Sequence, residues 1–211
     1  MATPLLIEIA SDVICPWCYI GKRRLEKALA LLDGSVETRL TWLPFQLNPA
    51  MPKEGMARAD YRRAKFGSLE RGKALDARVA AEGAGEGIAF AFERMQRTPN
   101  TFAAHQLVDL AQAQGRAAPV VGALFRAYFE DARDIGDPAV LAEIAERGGV
   151  ERWPAAADAA RVAQLEEGVR ELGISGVPTF IFGRKSGISG AYPPQQLAAA
   201  IREAAREATA I

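Results

Sequence analysis

Histidine occurs once in 211 residues and cysteine twice, which leaves metal chemistry little to work with. A structural zinc site takes four nitrogen or sulfur ligands, and Cys15, Cys18 and the distant His105 fall short without recruiting carboxylates. The second Cys-x-x-Cys of a zinc ribbon is also missing, so no metal is expected. A charge excess of either sign is absent as well: Lys and Arg total 26, Asp and Glu total 26. That balance gives no electrostatic footprint for nucleic acid or for an anionic membrane. Near the N-terminus the apolar run Leu5-Leu6-Ile7 is stopped by Glu8, and no basic segment precedes it. It fails as a secretory signal or a membrane span, which places the protein in the cytoplasm.

What is present suits a globular chain, with 49% hydrophobic residues, enough for one substantial core or two small ones. Both cysteines fall within Cys15-Pro16-Trp17-Cys18. A reducing cytoplasm gives little reason to keep a structural disulfide across so short a loop, so the pair is expected to react. Leu5 to Ala10 is apolar and β-prone, and Tyr19 to Leu32 sets Ile20, Leu25, Ala28, Leu29 and Leu32 at helical spacing. Val36 to Phe45 reads as a second strand in which Pro44 ends regular pairing. The cysteines then stand at a helix N-terminus inside a strand, helix, strand unit. The first N–H groups of a helix have no internal partner and face whatever lies at that end. A thiolate there gains about 0.3–1 kcal/mol from the helix field, and donation from residues 17 and 18 adds to it. Pro16 suits the first turn, where its missing N–H is no loss. Cys15 is the expected attacking sulfur and Cys18 the resolving one, less exposed and nearer the ordinary thiol value.

Further along, Gly173 to Phe182 reads as a loop entering an apolar strand, and Gly183 to Gly187 as a turn before Ile188, together a β-hairpin. Pro193 and Pro194 open a last amphipathic helix with Leu197, Ala200, Ile201 and Ala204 on one face. Between these halves, residues 51–153 are rich in Ala, Arg, Glu and Leu and read as an inserted all-α domain, leaving 1–50 and 154–211 to form the α/β part. Within it, Asn100 or Thr101 caps a helix carrying Phe102, Leu107, Val108 and Leu110, and Asp137-Pro138 opens another with Val140, Leu141 and Ile144. Glu82 to Gly87 is glycine-rich but follows a helical run, so it is read as a break between helices and not as a dinucleotide loop.

The stretch Ser11-Asp12-Val13-Ile14-Cys15-Pro16-Trp17-Cys18-Tyr19-Ile20-Gly21-Lys22, taken with Val177-Pro178-Thr179, resembles the DsbA-like thioredoxin family, specifically its FrnE-type branch. Pro44 to Pro49, Pro99-Asn100-Thr101 with His105, and Gly190-Ala191 before Pro193-Pro194 extend the resemblance over almost the whole chain. It implies a thioredoxin fold, in which a mixed central sheet is flanked by helices, and thiol–disulfide exchange with no tightly bound cofactor. Glutathione is a candidate co-substrate. It further implies a cis Val177-Pro178 bond facing the cysteines, so that the backbone around Val177, Pro178 and Thr179 pairs with an extended substrate. Base rates alone favour a trans proline that opens an edge strand. The substrates implied are thiols or disulfides of proteins, peptides or glutathione, and a homodimer stays open. The same architecture is similar to kappa-class glutathione transferase and 2-hydroxychromene-2-carboxylate isomerase, where a serine occupies the position matching Cys15. A glutathione-dependent isomerase or transferase is therefore the alternative function. A non-catalytic peptide-binding module, the third reading, leaves the paired cysteines unexplained.

Other residues carry two readings each. Trp17 packs over the sulfurs and shapes access, or is buried against the helical segment; the first is preferred because it sits between the cysteines. Asp12 and Glu8 relay protons from Cys18, or Asp12 caps the strand end, the safer reading. His105 exchanges a proton near the thiolate, or is a partly exposed helical residue without a task. Asn48 reaches a bound peptide or glutathione, or forms a turn before Pro49.

Overall fold

The computed structural model describes residues 4–209. In chain order, β1 (Leu5–Ser11), α1 (Pro16–Leu31) and β2 (Thr38–Pro44) form the first unit. Next come β3 (Met56–Ala57), α2 (Arg58–Phe66), α3 (Leu69–Ala84), β4 (Arg97–Thr98), α4 (Phe102–Ala113), α5 (Ala117–Phe129) and α6 (Pro138–Arg147). The chain closes with α7 (Ala159–Glu171), β5 (Thr179–Phe182), β6 (Ser186–Ser189) and α8 (Pro194–Thr209). The main sheet is four-stranded and mixed, in the order β2-β1-β5-β6. β2 runs parallel to β1 from Leu5↔Thr38 to Ser11↔Pro44, while β5 runs antiparallel to β1 and pairs with β6 as a hairpin.

β1 is interior to the sheet and buried at every position but Leu6, which explains why it reads as an apolar run and not as an alternation. Its Leu5, Ile7 and Ile9 join one cluster with Ile20 and Leu25 of α1, and that cluster continues without a break into Leu107, Leu124, Phe125, Phe129 and Leu141. The sheet and the helices of residues 102–147 thus share a core. Ala10 packs instead with Phe45 and with Val169 of α7. Successive strand side chains face opposite ways, so α7 covers the other side of the sheet.

Several boundaries differ from the sequence pattern, each for a local reason. α1 begins at Pro16, where a first-turn proline is expected: Cys15 takes the extended N-cap conformation (φ −90°, ψ 114°) and Pro16 the first helical position, and the helix ends at Leu31. β2 begins two residues late, at Thr38. The segment 51–153 is mainly helical but also holds β3 and β4, an antiparallel pair joining Met56 to Thr98 and Ala57 to Arg97. Strands of two residues have no detectable period. Of the two candidate caps for α4, Asn100 does the work: its Oδ1 accepts from the Phe102 N–H at 2.9 Å, while Thr101 makes no side-chain cap bond. Asp137 caps α6 through the Ala139 N–H, with Pro138 in the first turn. No helix among the described residues is long and apolar enough to cross a membrane.

Candidate active site

Where β1 ends, the chain turns at once. The Cys15 N–H donates to the Asp12 carbonyl at 3.0 Å, and the N–H groups of Cys18 and Tyr19 donate to the Cys15 carbonyl at 3.0 and 3.3 Å, closing the first turn of α1. Asp12 Oδ2 accepts the Leu47 N–H at 2.7 Å, which ties the segment after β2 to this turn. The first turn of α1 holds no acidic residue, so nothing there opposes the helix-end field on a sulfur anion.

Both cysteines are free thiols and both are buried, Cys15 at 4% exposure and Cys18 at 2%. Trp17, between them, stands 42% exposed, so its indole is not absorbed by the helical segment. Burial pushes the Cys18 thiol well above the ordinary value; the neighbouring Cys15 sulfur adds to this, and the Asp12 backbone and Ser11 hydroxyl oppose it. The expectation that Cys18 stays near the ordinary value is therefore corrected. Proximity to a helix N-terminus matters less at this position than enclosure in the core.

The Cys15 thiol donates to the Val177 carbonyl at 3.6 Å, across 162 positions of sequence, and the Val177–Pro178 bond is cis. The loop around it is braced from within. The Gly190 N–H donates to the Pro178 carbonyl at 2.7 Å, and the Thr179 hydroxyl donates to the Gly176 carbonyl at 2.8 Å and meets Ser189 Oγ at 2.9 Å. Thr179 is thus engaged inside its own hairpin, while Val177 is half-buried beside the sulfur. Underneath, Gly21 of α1 lets this loop approach: a Cβ there would stand 2.9 Å from Pro178 Cγ and 3.3 Å from the Phe180 ring. In the sequence Gly21 is one residue of the Ser11–Lys22 motif. A glycine inside an otherwise helical pattern was its one available signal.

The remaining candidates separate. Asn48 lies on the segment tied to Asp12 but is half-buried against α2, donating to Tyr61 Oη at 3.2 Å and accepting from Lys65 Nζ at 3.3 Å. Glu8 is no relay for Cys18, because the Arg184 guanidinium grips its carboxylate with contacts of 2.8–3.1 Å. His105 is not partly exposed as expected: it is 4% exposed, with Nε2 3.4 Å from Oδ1 of the fully buried Asp12. The apolar stripe of α4 and the buried turn after β1 meet there, and a helical histidine's neighbours across the fold leave no trace in its local pattern. Tyr19, next to Cys18, stacks on Phe125 with ring centroids 5.0 Å apart and hydrogen-bonds Glu130, anchoring the first turn of α1 to α5.

The fold that carries these two sulfurs is one that known proteins share. The family model described as DSBA-like thioredoxin domain matches residues 6–202. The crystal structure of a probable DsbA oxidoreductase from Streptomyces coelicolor is 33% identical, covers 95% of this chain and 89% of its own, and has a TM-score of 0.84. Two more distant structures share the fold: a 2-hydroxychromene-2-carboxylate isomerase, 16% identical over 97% of this chain and 98% of its own (TM-score 0.66), and the cytosolic disulfide reductase DsbM from Pseudomonas aeruginosa with GSH, 18% identical over 95% and 99% (TM-score 0.61). With the mixed sheet, the cysteine-bearing helix and a match spanning nearly its full length, the chain belongs to the DSBA-like thioredoxin domain family.

Proposed function

We propose that this protein catalyses thiol–disulfide exchange, with Cys15 attacking and Cys18 resolving. The supporting observation is the placement of Cys15 at the N-cap of α1, with Cys18 in the same turn and the Val177 carbonyl 3.6 Å from the attacking sulfur. In the reduced enzyme the Cys15 thiolate attacks one sulfur of a substrate disulfide; the substrate bond breaks and its electron pair leaves on the other sulfur. Cys18 then displaces the substrate from Cys15, forming the internal disulfide and releasing a second thiolate, so two electrons pass to the substrate. Run backward, the same steps oxidise dithiols. The direction depends on the dithiol potential, where ~30 mV corresponds to about 1.4 kcal/mol.

Pro16 starts the helix that Cys15 caps, and the exposed Trp17 shapes access to a sulfur that is otherwise covered. The Val177–Pro178 backbone aligns an extended substrate over the helix end, with Thr179 holding that loop and Asn48 contacting the substrate's far end. The substrates are protein, peptide or glutathione disulfides, a class supported by the fold shared with a disulfide reductase solved with GSH. The protein works in the cytoplasm, and its residues 51–153 are an insertion between the two parts of the thioredoxin fold, 1–50 and 154–211.

The test is direct. Cys15→Ser should lose all turnover of a disulfide substrate, and Cys18→Ser should accumulate a covalent mixed disulfide visible as a mass increment. Full turnover in both variants removes the proposal, and a glutathione-dependent isomerisation that survives loss of Cys18 would put the isomerase reading in its place.

A further inference from the structure

The resolving step, on the reading just given, requires Cys18 to shed a proton inside the core. Cys18 is 2% exposed, so bulk water is not at hand. The Ser11 hydroxyl lies close enough to favour the Cys18 thiolate, yet makes no well-aligned hydrogen bond. Two more buried polar atoms nearby share that condition, Trp42 Nε1 and His105 Nε2. These three side chains line the same small cavity, of about 10 Å³. Cavities of that size admit a single water, and such waters settle where two to four polar groups converge. Three polar side chains that lack a hydrogen-bond partner converge on a space for one water, and such a water would satisfy them.

The far wall of this cavity carries a base. His105 Nε2 stands 3.4 Å from Asp12 Oδ1, and Asp12, fully buried, is itself fixed by the Leu47 N–H. Asp12 Oδ1 is placed to face an N–H formed on that nitrogen. Other charged groups facing the cavity are committed elsewhere. Asp109, one turn along α4, is held by Arg161 Nε of α7 with both contacts at 3.1 Å. From β2 comes the neutral Trp42 indole, and from α5 the side chain of Val121. Tyr128 of α5, which senses Asp12, is kept a neutral phenol by burial.

We infer that His105, seated on Asp12, takes the Cys18 proton through the Ser11 hydroxyl and one water in this cavity, forming a proton relay for the resolving step. As the Cys18 sulfur bonds to the Cys15 sulfur, the Cys15–substrate bond breaks and its electron pair leaves on the substrate sulfur. The Cys18 proton moves to Ser11 oxygen while the Ser11 proton passes by the water to His105. The imidazolium later returns its proton to solvent, and the released thiolate takes one up. His105 touches no substrate, so it acts through Ser11.

The test uses the full-length reduced protein and a symmetrical nitrobenzoate disulfide, which releases one coloured thiolate at each step. The first release reports Cys15 attack and the second reports resolution by Cys18, followed by stopped flow from mildly acidic to mildly alkaline pH. In His105→Gln the second release should slow by at least about tenfold near neutral pH and climb with pH as hydroxide replaces the relay, while the first keeps its rate. Ser11→Ala should show the same selective slowing, and it carries the comparison if the histidine variant does not fold. Equal slowing of both releases, or an unchanged pH profile of the second in the folded variants, overturns the relay. A wild-type protein that releases a single thiolate overturns the exchange reading itself, a distinct result.

Discussion

α1 buries Cys18, Tyr19, Ile20, Gly21, Lys22, Leu25 and Ala28, whereas α2 buries no residue and α3 only Gly72, Val79 and Gly83. The first helix is located by apolar contact on several sides. The α2–α3 hairpin is located largely by charge: Arg58 and Arg62 both pair with Asp76, at 3.1 and 2.9 Å, and their guanidinium groups lie over Phe92 and Phe66. Close apolar packing resists displacement of even a methylene, while the hairpin is held by ion pairs whose side chains are 11–16% exposed, an attraction that desolvation offsets in large part. On the proposed function, sulfur chemistry, which needs fixed geometry, sits on the helix held by the core, and the charged hairpin beside Asn48 is the less buried part.

The largest effect should come from breaking the rigid side at Gly21. Alanine there would place a Cβ 2.9 Å from a proline ring that cannot rotate away. Overpacking of this kind costs about 1–3 kcal/mol, and the displacement is aimed at the loop that faces Cys15. Gly21→Ala should lower the melting temperature and slow the Cys15 attack step roughly tenfold. Wild-type values for both would show that the contact between α1 and the Pro178 loop sets nothing.

The joint between the two regions offers an intermediate effect with a definite pH signature. Glu86, 8% exposed, accepts from Arg24 Nε at 2.7 Å and Lys27 Nζ at 2.6 Å, tying the end of α3 to α1. Burial alone would raise its carboxyl, but the hydrogen bonds from Lys27 and Arg24 outweigh it and hold the group below the usual carboxylate range. A lowered value in the folded state stabilises the fold above the unfolded value of about 4.3 and loses that contribution as pH falls through the folded one. Glu86→Gln should therefore lose about 1–2 kcal/mol near neutral pH, and its urea midpoint should converge on the wild type in acid. A constant gap at every pH would mean that packing, not charge, makes this joint.

The sequence exposes these regions unequally. Cys15 to Cys18 announce their chemistry because four adjacent residues carry it, and the strands and helices around them follow apolar periods that burial enforces. The Val177 loop, 162 residues away from Cys15, became legible only through a family resemblance. Nothing local in Ser11, Trp42 and His105 foretells one cavity, since β1, β2 and α4 meet only in the folded core. Thr179 shows the opposite failure: a residue beside the site in sequence whose hydroxyl is spent within its own hairpin. Contacts made within one turn can be read along the chain, and contacts made between elements cannot.

Asp76 is where the charged side should respond least. It serves two arginines, yet burial is the larger influence and leaves its carboxyl above the usual range in spite of Arg58 and Arg62. Asparagine keeps an acceptor for the same guanidinium groups and removes a charge whose desolvation offsets much of the attraction it provides. Arg62 also retains its bond to the Gly72 carbonyl and its place over Phe66. Asp76→Asn should change stability by no more than roughly 1 kcal/mol, with amide exchange quickening in α2 and α3 and the Cys15 step unaltered. The pH trend should also oppose that of Glu86. A carboxyl raised in the folded state weakens the fold as pH climbs through the acid range, so the wild type should lose ground to Asp76→Asn between the unfolded value near 3.9 and neutrality. A large loss of stability, or a slowed Cys15 step, would show that the hairpin helps to position the sulfurs and would erase the division between the two regions.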